Sequence, residues 1–207
     1  MAKSKRQYNN DYPSVTQVIA QLRSPALEYW FKSHTLEEIN RLSARGKQIG
    51  TEMHDCIQDF IEKGESKIDT QYPDEITMAL KSFQLFRKEN PHINLKRSEI
   101  KLTSEQYKYN GTIDCLSDSI LVDWKSSTCK EKEKPEIYFE AKIQVSAYIH
   151  LLNECEKLGF NEGLIVPIAK DKIAYNTYFM KHNEVYDCFN EVFLPLLKVF
   201  NYQKRSK

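Results

Sequence analysis

The sequence predicts an α/β fold in which a central mixed β-sheet is flanked by helices. The first observation is that apolar residues recur at helical spacing over four stretches, namely residues 14–64, 73–90, 135–158 and 183–202. The second is that apolar residues alternate or run together between those stretches, over residues 93–103, 109–125 and 163–180. Helices before, between and after strands are typical of one sheet with helices on both faces.

Length and composition narrow the class of protein. The chain has 207 residues, enough for one well-developed core, so we predict a single domain over residues 1–207. Apolar residues make up 41% and charged residues 29%, as in ordinary soluble domains. No apolar stretch is long enough to span a bilayer, and the N-terminus has no apolar signal region, so we expect no membrane association. A net charge of +1 neither supports nor excludes a nucleic-acid partner.

The cysteines favour a reducing compartment. There are five of them, and none forms a C-x-x-C pair, so the spacing of a zinc or iron–sulfur site is missing. We therefore expect reduced thiols in a cytoplasmic protein. A composition rich in Lys, Asn and Ile suggests an AT-rich genome, and a small chain of this kind would suit a bacterial or phage-infected cell.

Capping signals mark several helix boundaries. Ser14 with Gln17, and Thr35 with Glu38, both fit the capping box. The helix after Thr35 should extend toward Gly64, although one of its internal glycines could break it. Residues 64–73 and 127–136 are expected to be the most mobile loops, and the basic tail from about residue 203 is expected to be frayed.

The segment GTIDCLSDSILVDWKSS, residues 111–127, places charged groups inside two predicted strands. A turn centred between Asp118 and Ser119 would put Asp114 directly opposite Asp123, with Cβ atoms about 4.5–5.5 Å apart. Lys125 lies two residues beyond Asp123 and so would point to the same face.

Two opposed carboxylates repel each other, and a divalent cation between them would remove that repulsion. A lysine beside such a cation could orient a metal-bound water and stabilise developing phosphate charge, which suits phosphodiester hydrolysis. On this pattern alone, a solvated hairpin with a cross-strand Lys–Asp pair is the simpler interpretation.

Four residues elsewhere add to the hairpin. Gln144 and Tyr148 are i,i+4 neighbours on the following helix. His54 shares a helix face with Gly50, a small residue that clears space one turn away from the imidazole. Glu99 lies in the first strand and could face the same site. Each has an ordinary alternative as a core, structural or surface residue.

Taken together, these residues resemble the PD-(D/E)XK nuclease superfamily, and within it the RecB-type exonuclease branch. The matching motifs occur in the order GTEMH at 50–54, SEI at 98–100, GTID at 111–114, VDWKSS at 122–127 and QVSAY at 144–148. The opening YPSVTQVIAQLRSPALEYW, residues 12–30, is similar to mitochondrial genome maintenance exonucleases and their phage and bacterial relatives. The resemblance covers roughly residues 12–155, and five motifs together are more specific than any one of them.

The resemblance implies a restriction-endonuclease-like core and gives each motif a role. It implies that His54, Asp114, Asp123 and the backbone carbonyl of Trp124 bind a metal ion. It also implies that Lys125 acts on the attacking water.

Further roles follow from the same resemblance. Glu99 would be a second-metal or water-mediated ligand and is grouped with the catalytic residues. Gln144 and Tyr148 would support the active site and the DNA near it. Ser126 and Ser127, which end the VDWKSS motif, would contact the substrate.

The function implied by the resemblance is that of a Mg²⁺- or Mn²⁺-dependent DNA exonuclease acting from DNA ends, on single strands, in repair, recombination or replication. Its partners would be DNA, as a single strand or a duplex end, and a recombination or helicase protein. Some relatives hold an iron–sulfur cluster with one early and three late cysteines. Cys56, Cys155 and Cys188 do not reproduce that spacing, so no cluster is expected. Tyr29 and Trp30 could stack on the bases of a threaded strand.

Two alternatives remain open at the level of the sequence. One is an endonuclease of the same superfamily, and the other is a catalytically inactive nucleic-acid-binding protein that kept the fold.

Overall fold

A computed structural model describes residues 8–22, 24–64 and 72–206. It shows a five-stranded mixed sheet flanked by helices, so the predicted fold class is confirmed. In chain order the helices and strands are α1 (Val15–Ile19), α2 (Pro25–Ser33), α3 (Leu36–Lys63), α4 (Asp74–Glu89), β1 (Arg97–Ser104), β2 (Tyr109–Leu116), β3 (Leu121–Ser127), α5 (Phe139–Glu156), β4 (Gly163–Ala169), β5 (Tyr178–Met180), α6 (His182–Asp187), a π-helical segment (Cys188–Phe193) and α7 (Leu194–Arg205).

The N-terminal helices begin where the capping signals predict. Ser14 caps α1 and Thr35 caps α3, each through a reciprocal capping box. The helix α3 then continues without a break to Gly64, whose left-handed φ of 76° ends it. Glycine keeps its backbone N–H and costs a helix only about 1 kcal/mol, which explains why the expected break does not occur.

The strand order in the sheet is β1-β2-β3-β4-β5. The first three strands form an antiparallel meander, β3 and β4 are parallel, and β5 returns antiparallel to β4. Because a parallel connection needs a long crossover, α5 fills the chain between β3 and β4. This parallel pair is what makes the sheet mixed.

The predicted register of the hairpin is confirmed, because Cys115 pairs with Val122 and Leu116 pairs with Leu121. The pairing of β2 with β3 ends there, and the next residues along are Asp114 and Asp123. On the other side of β2, Ser98 pairs with Cys115 and Ile100 with Ile113, while the position between them is unpaired. The sheet is therefore interrupted on both sides of Asp114.

Apolar side chains cover both faces of the sheet. On one face, α3 and α4 pack on β3 and β4, and the Trp124 ring contacts Phe83 and Phe86 edge to face at centroid distances of 5.4 Å each. On the other face, α5 packs with α1 and the C-terminal helices against residues such as Ile113 and Leu121. Asp123 is fully buried between these layers.

The C-terminal half differs from the sequence prediction in two helices. α5 begins at Phe139 instead of Pro135, and an αL residue, Lys157, ends it. The last helix contains the π-helical segment, which the apolar spacing did not predict. Pro195 follows that segment in the first turn of α7, and its missing N–H and bulky ring disfavour regular α-helical bonding to the preceding turn.

The predicted C-terminal tail and the predicted loop at 64–73 can be compared with the structure in part. The final helix continues to Arg205, so residues 203–205 are helical where a frayed tail was expected, and Lys204 Nζ donates to the Asp11 carbonyl at 3.0 Å. Lys207 and residues 65–71 of the predicted loop at 64–73 lie outside the described residues. Among the helices in the described ranges, none combines the length and apolarity that a bilayer crossing requires.

Alanine substitutions at two glycines test this packing, and we expect them to change the free energy of unfolding in opposite directions. A Cβ atom at Gly46 on α3 would meet nothing within 4 Å, so Gly46→Ala should raise the free energy of unfolding by about 0.5–1 kcal/mol. A Cβ atom at Gly163 would lie 2.3 Å from Val145 Cγ1, so Gly163→Ala should lower it by about 1–3 kcal/mol through overpacking. Urea unfolding measures both, and equal effects at the two positions would contradict the described packing.

Candidate active site

A cleft of about 400 Å³ opens beside the interruption in the sheet. β1 and β2 form its floor, α3 forms one wall, and the chain from Tyr8 into α1 forms another. Residues from α5 close the inner end. Five predicted site residues line this cleft, and they come from four elements of the fold: His54 on α3, Glu99 on β1, Asp114 on β2, and Gln144 and Tyr148 on α5.

Three of these side chains, those of His54, Glu99 and Asp114, converge on one point. His54 Nδ1 lies 3.7 Å from Asp114 Oδ1 and 3.9 Å from Glu99 Oε1. One donor atom from each residue can be chosen so that all three lie within 4.8 Å of one another. An imidazole nitrogen and two carboxylate oxygens at this spacing could hold a divalent cation.

Asp123 and Lys125 form a separate pair behind this triad. Lys125 Nζ lies 2.6 Å from Asp123 Oδ2, and the lysine side chain is 30% exposed while Asp123 is fully buried. Oδ1 of Asp123 is also buried and has no hydrogen-bond partner within the described ranges. The ion pair with Lys125 engages Oδ2 of Asp123.

Trp124 connects the pair to the triad. Its backbone N–H donates to Asp114 Oδ2 at 3.0 Å, which replaces the missing strand pairing at this position. Its carbonyl oxygen lies 3.5 Å from Lys125 Nζ. Because the Trp124 ring is anchored in the core, the backbone that orients Asp114 is held firmly.

Burial dominates the electrostatics of the carboxyl groups. Desolvation raises the pKa of Asp114 to about 6 and that of Asp123 to about 7, although the charge of Lys125 opposes both shifts. Burial also raises the pKa of Glu99, with His54 opposing. The positive charge near these carboxylates is therefore too small to offset the cost of burying them.

The surroundings shift the pKa values of the two basic groups, His54 and Lys125, in opposite directions. Burial lowers the pKa of His54, and the charge of Lys125 lowers it further. A neutral imidazole is the form that binds a metal. For Lys125, burial disfavours the ammonium, but the charges of Asp123 and Asp114 outweigh it and raise its pKa.

Glu99 adopts an unusual backbone conformation. Its φ is 49°, in the left-handed region, although it lies inside β1. A non-glycine residue there stores strain of about 1–3 kcal/mol, and such strain clusters at functional sites. The observation points to a functional reason for placing a carboxylate beside Asp114.

Gln144 and Tyr148 line the inner end of the cleft. Gln144 Nε2 donates to the Tyr148 hydroxyl at 2.9 Å, and the tyrosine is 4% exposed. Gly111 allows this arrangement, because a Cβ atom there would lie 2.9 Å from Tyr148 Cε1. Gly111 belongs to the GTID motif, but the sequence did not predict that it lies against Tyr148.

Other predicted residues lie outside the residues that line the cleft. Ser126 has a buried hydroxyl, and Ser127 follows it at the end of β3. Tyr29 on α2 is 75% exposed, and the neighbouring Trp30 packs against Phe31 and His34. Conversely, the cleft contains Tyr8 and Lys47, which lie outside the motifs, and Thr112, which lies in the GTID motif but received no role from it.

Comparisons with known proteins describe only distant likeness. No protein-family model matches the chain, and no curated protein matches it. The solved structure of SSO0001 is 16% identical over 58% of this chain with a TM-score of 0.33, and the match spans 62% of that chain. An alkaline exonuclease from Laribacter hongkongensis, LHK-Exo, is 12% identical over 94% of this chain and 92% of that one, with a TM-score of 0.40. Its complex with dAMP has a TM-score of 0.41 at the same identity and coverage.

The raised pKa of Asp114 makes stability depend on pH in the metal-free protein. The native carboxyl keeps its proton up to about pH 6, whereas the unfolded carboxyl loses it near 3.8, so stability falls as pH rises through that range. Asp114→Asn removes this cost while an amide oxygen still accepts from Trp124. We expect the variant to be more stable than the wild type above pH 6, by an amount on the order of 3 kcal/mol, and similar below pH 4.

Thermal unfolding in EDTA across that pH range makes the comparison. A stability gain that is the same at pH 4 and pH 8 would show that the Asp114 carboxyl titrates at its ordinary value.

The strain at Glu99 predicts a difference between two substitutions. Glu99→Gly relieves the left-handed backbone and Glu99→Gln does not, so the glycine variant should be more stable by about 1 kcal/mol. Both variants should lose affinity for Mn²⁺, since Glu99→Gly removes the carboxylate and Glu99→Gln replaces it with a neutral amide. Urea unfolding and calorimetric titration with Mn²⁺ measure the two effects, and Mn²⁺ affinity equal to that of the wild type would remove Glu99 from the metal site.

Proposed function

We propose that this protein is a divalent-metal-dependent deoxyribonuclease that hydrolyses phosphodiester bonds from DNA ends, on single-stranded DNA. The observation that carries the proposal is the convergence of His54, Glu99 and Asp114 in a cleft, next to a lysine that a buried carboxylate holds. Mg²⁺ and Mn²⁺ prefer oxygen donors, which the carboxylates of Glu99 and Asp114 supply.

The proposed metal site is built from five groups. His54, Glu99 and Asp114 would hold the ion, and Oδ1 of Asp123 and the Trp124 carbonyl would complete the donor set. When bound, such an ion polarises the phosphate and lowers the pKa of a water molecule. The neutral imidazole and the buried carboxylates favour binding, because a cation relieves their uncompensated burial.

Lys125 would act on the attacking water and on the charge that develops at phosphate. Its ammonium is held by Asp123, so the lysine loses little freedom when substrate binds. A pre-oriented positive charge in a partly dry site stabilises a transition state more than the same charge in water. Asp123 therefore has two roles, as a counter-ion for Lys125 and as a metal ligand.

The remaining residues would support the substrate. The Gln144–Tyr148 hydrogen bond gives the inner end of the cleft a fixed polar group. Ser126 and Ser127 continue β3 beyond Lys125 and would meet the strand outside the cleft. A cleft of about 400 Å³ has the size of a small-ligand site, and one strand end would fit it.

The biological setting we propose follows from that substrate. Single-stranded ends arise in DNA repair, recombination and replication, and a recombination or helicase protein could supply them. We place the reaction in the cytoplasm of a bacterial or phage-infected cell.

The direct test uses labelled single-stranded DNA with Mg²⁺ or Mn²⁺. Wild type should degrade the linear strand, and Asp114→Asn and Lys125→Met should reduce the rate by at least about 100-fold, since each removes part of the transition-state stabilisation. Lys142→Met is a matched control, because Lys142 also pairs with a carboxylate, Glu184 of α6 at 3.0 Å, and neither residue lines the cleft. Equal degradation by all four proteins would remove the proposed site.

Stability and substrate topology complete that experiment. Lys125→Met leaves Asp123 buried without a counter-ion, so the double variant Asp123→Asn/Lys125→Met should regain stability without regaining activity.

A closed single-stranded circle has no end, so an exonuclease leaves it intact. Cleavage of the circle at the rate of the linear strand would favour an endonuclease.

A further inference from the structure

The chain before α1 runs over the start of β2 and is fixed there by one side chain. Asn110 Nδ2 donates to the carbonyls of Asn9 at 2.8 Å and Tyr12 at 3.0 Å. The Asn110 backbone N–H donates to the Pro13 carbonyl at 2.8 Å, and Oδ1 accepts from the Asn9 N–H at 3.3 Å. Asn110 is 4% exposed, so these bonds are shielded from water. We call residues 8–14 the strap.

The strap places Tyr8 in the cleft. The Tyr8 hydroxyl hydrogen-bonds to Thr112 Oγ1, two residues before Asp114 on β2, and both tyrosine and threonine line the cleft. Tyr8 is half-buried, and its hydroxyl lies close enough to Glu99 for that carboxylate to act on its pKa, which burial raises. Tyr8 is therefore a partly exposed aromatic residue in the lining of the cleft, held by its hydroxyl next to the strand that carries Asp114.

The chemistry around Tyr8 suits a nucleotide. The cleft floor is acidic through Glu99 and Asp114, while Tyr8 is a neutral aromatic group beside it. Lys47 lies on the opposite wall, two helical turns before His54, and can contact a phosphate. An aromatic face next to a phosphate-binding cleft is the usual arrangement for stacking a base of single-stranded DNA.

We propose that Tyr8 is a substrate-binding residue whose ring stacks on the base of the nucleotide at the metal site, with Asn110 acting as the residue that positions the strap. This inference rests on the proposed nuclease function and adds a specific contact to it. It also explains why a short N-terminal segment is bonded so completely to β2.

The test compares two tyrosines of the same strap. Tyr8→Ala should raise KM for a linear single strand about 5- to 100-fold with kcat within about twofold, because a base stack contributes about equally before and during the reaction. Tyr12→Ala is the matched control: Tyr12 donates its hydroxyl to Glu105 and does not line the cleft. It should leave both constants unchanged.

Two further variants separate the contribution of the Tyr8 ring from that of its hydrogen bond to Thr112. Tyr8→Phe and Thr112→Val each remove the hydroxyl pair but keep the ring, so we expect a smaller rise in KM than Tyr8→Ala gives. A substrate whose terminal nucleotides are abasic offers no base to stack. On that substrate wild type and Tyr8→Ala should have the same KM.

The outcomes distinguish this inference from the nuclease proposal. If wild type is active and Tyr8→Ala behaves like Tyr12→Ala, or if Tyr8→Ala retains its defect on the abasic substrate, the stacking role is overturned. If wild type degrades no DNA, the nuclease proposal fails. Fluorescence anisotropy of a labelled oligonucleotide with Ca²⁺ then still tests Tyr8, which should be needed for tight binding.

Discussion

Two carboxyl groups, those of Asp114 and Asp123, are buried next to each other at a place where the sheet ladder is interrupted. Their burial is unfavourable, and burial raises the pKa of both. Two features offset it: the Lys125 ammonium, which pairs with Asp123, and the Trp124 N–H, which donates to Asp114. The rest of the site follows from this arrangement, because a group of carboxylates with too little positive charge favours a divalent cation.

The apolar core makes that arrangement rigid. Trp124 lies between Asp123 and Lys125 in the chain, and its ring packs on Phe83 and Phe86 from α4. On the opposite face, Gly111 allows Tyr148 to approach β2 closely. Side chains that would hold metal and substrate are therefore carried by strands and long helices, while the strap adds the outer wall.

The sequence was sufficient for the fold class and for part of the site. Helical spacing, capping boxes and the turn around Asp118 predicted the elements and the register that places Asp114 next to Asp123 in the sheet. Local patterns could not predict the left-handed backbone at Glu99, because it depends on pairing between distant strands. They also did not show that Glu99 joins Asp114 within 4 Å of the His54 imidazole. The strap was equally hidden, since Asn110 and the residues it binds are about a hundred positions apart.

The central claim is that His54, Glu99 and Asp114 form a divalent-metal site. Crystals of the wild-type protein grown with Mn²⁺ and measured at the manganese absorption edge would test it most directly. The account predicts an anomalous peak in the cleft, roughly 2.0–2.3 Å from one donor atom of each of these three residues. No peak in the cleft, with Mn²⁺ bound only at exposed acidic side chains, would contradict the account.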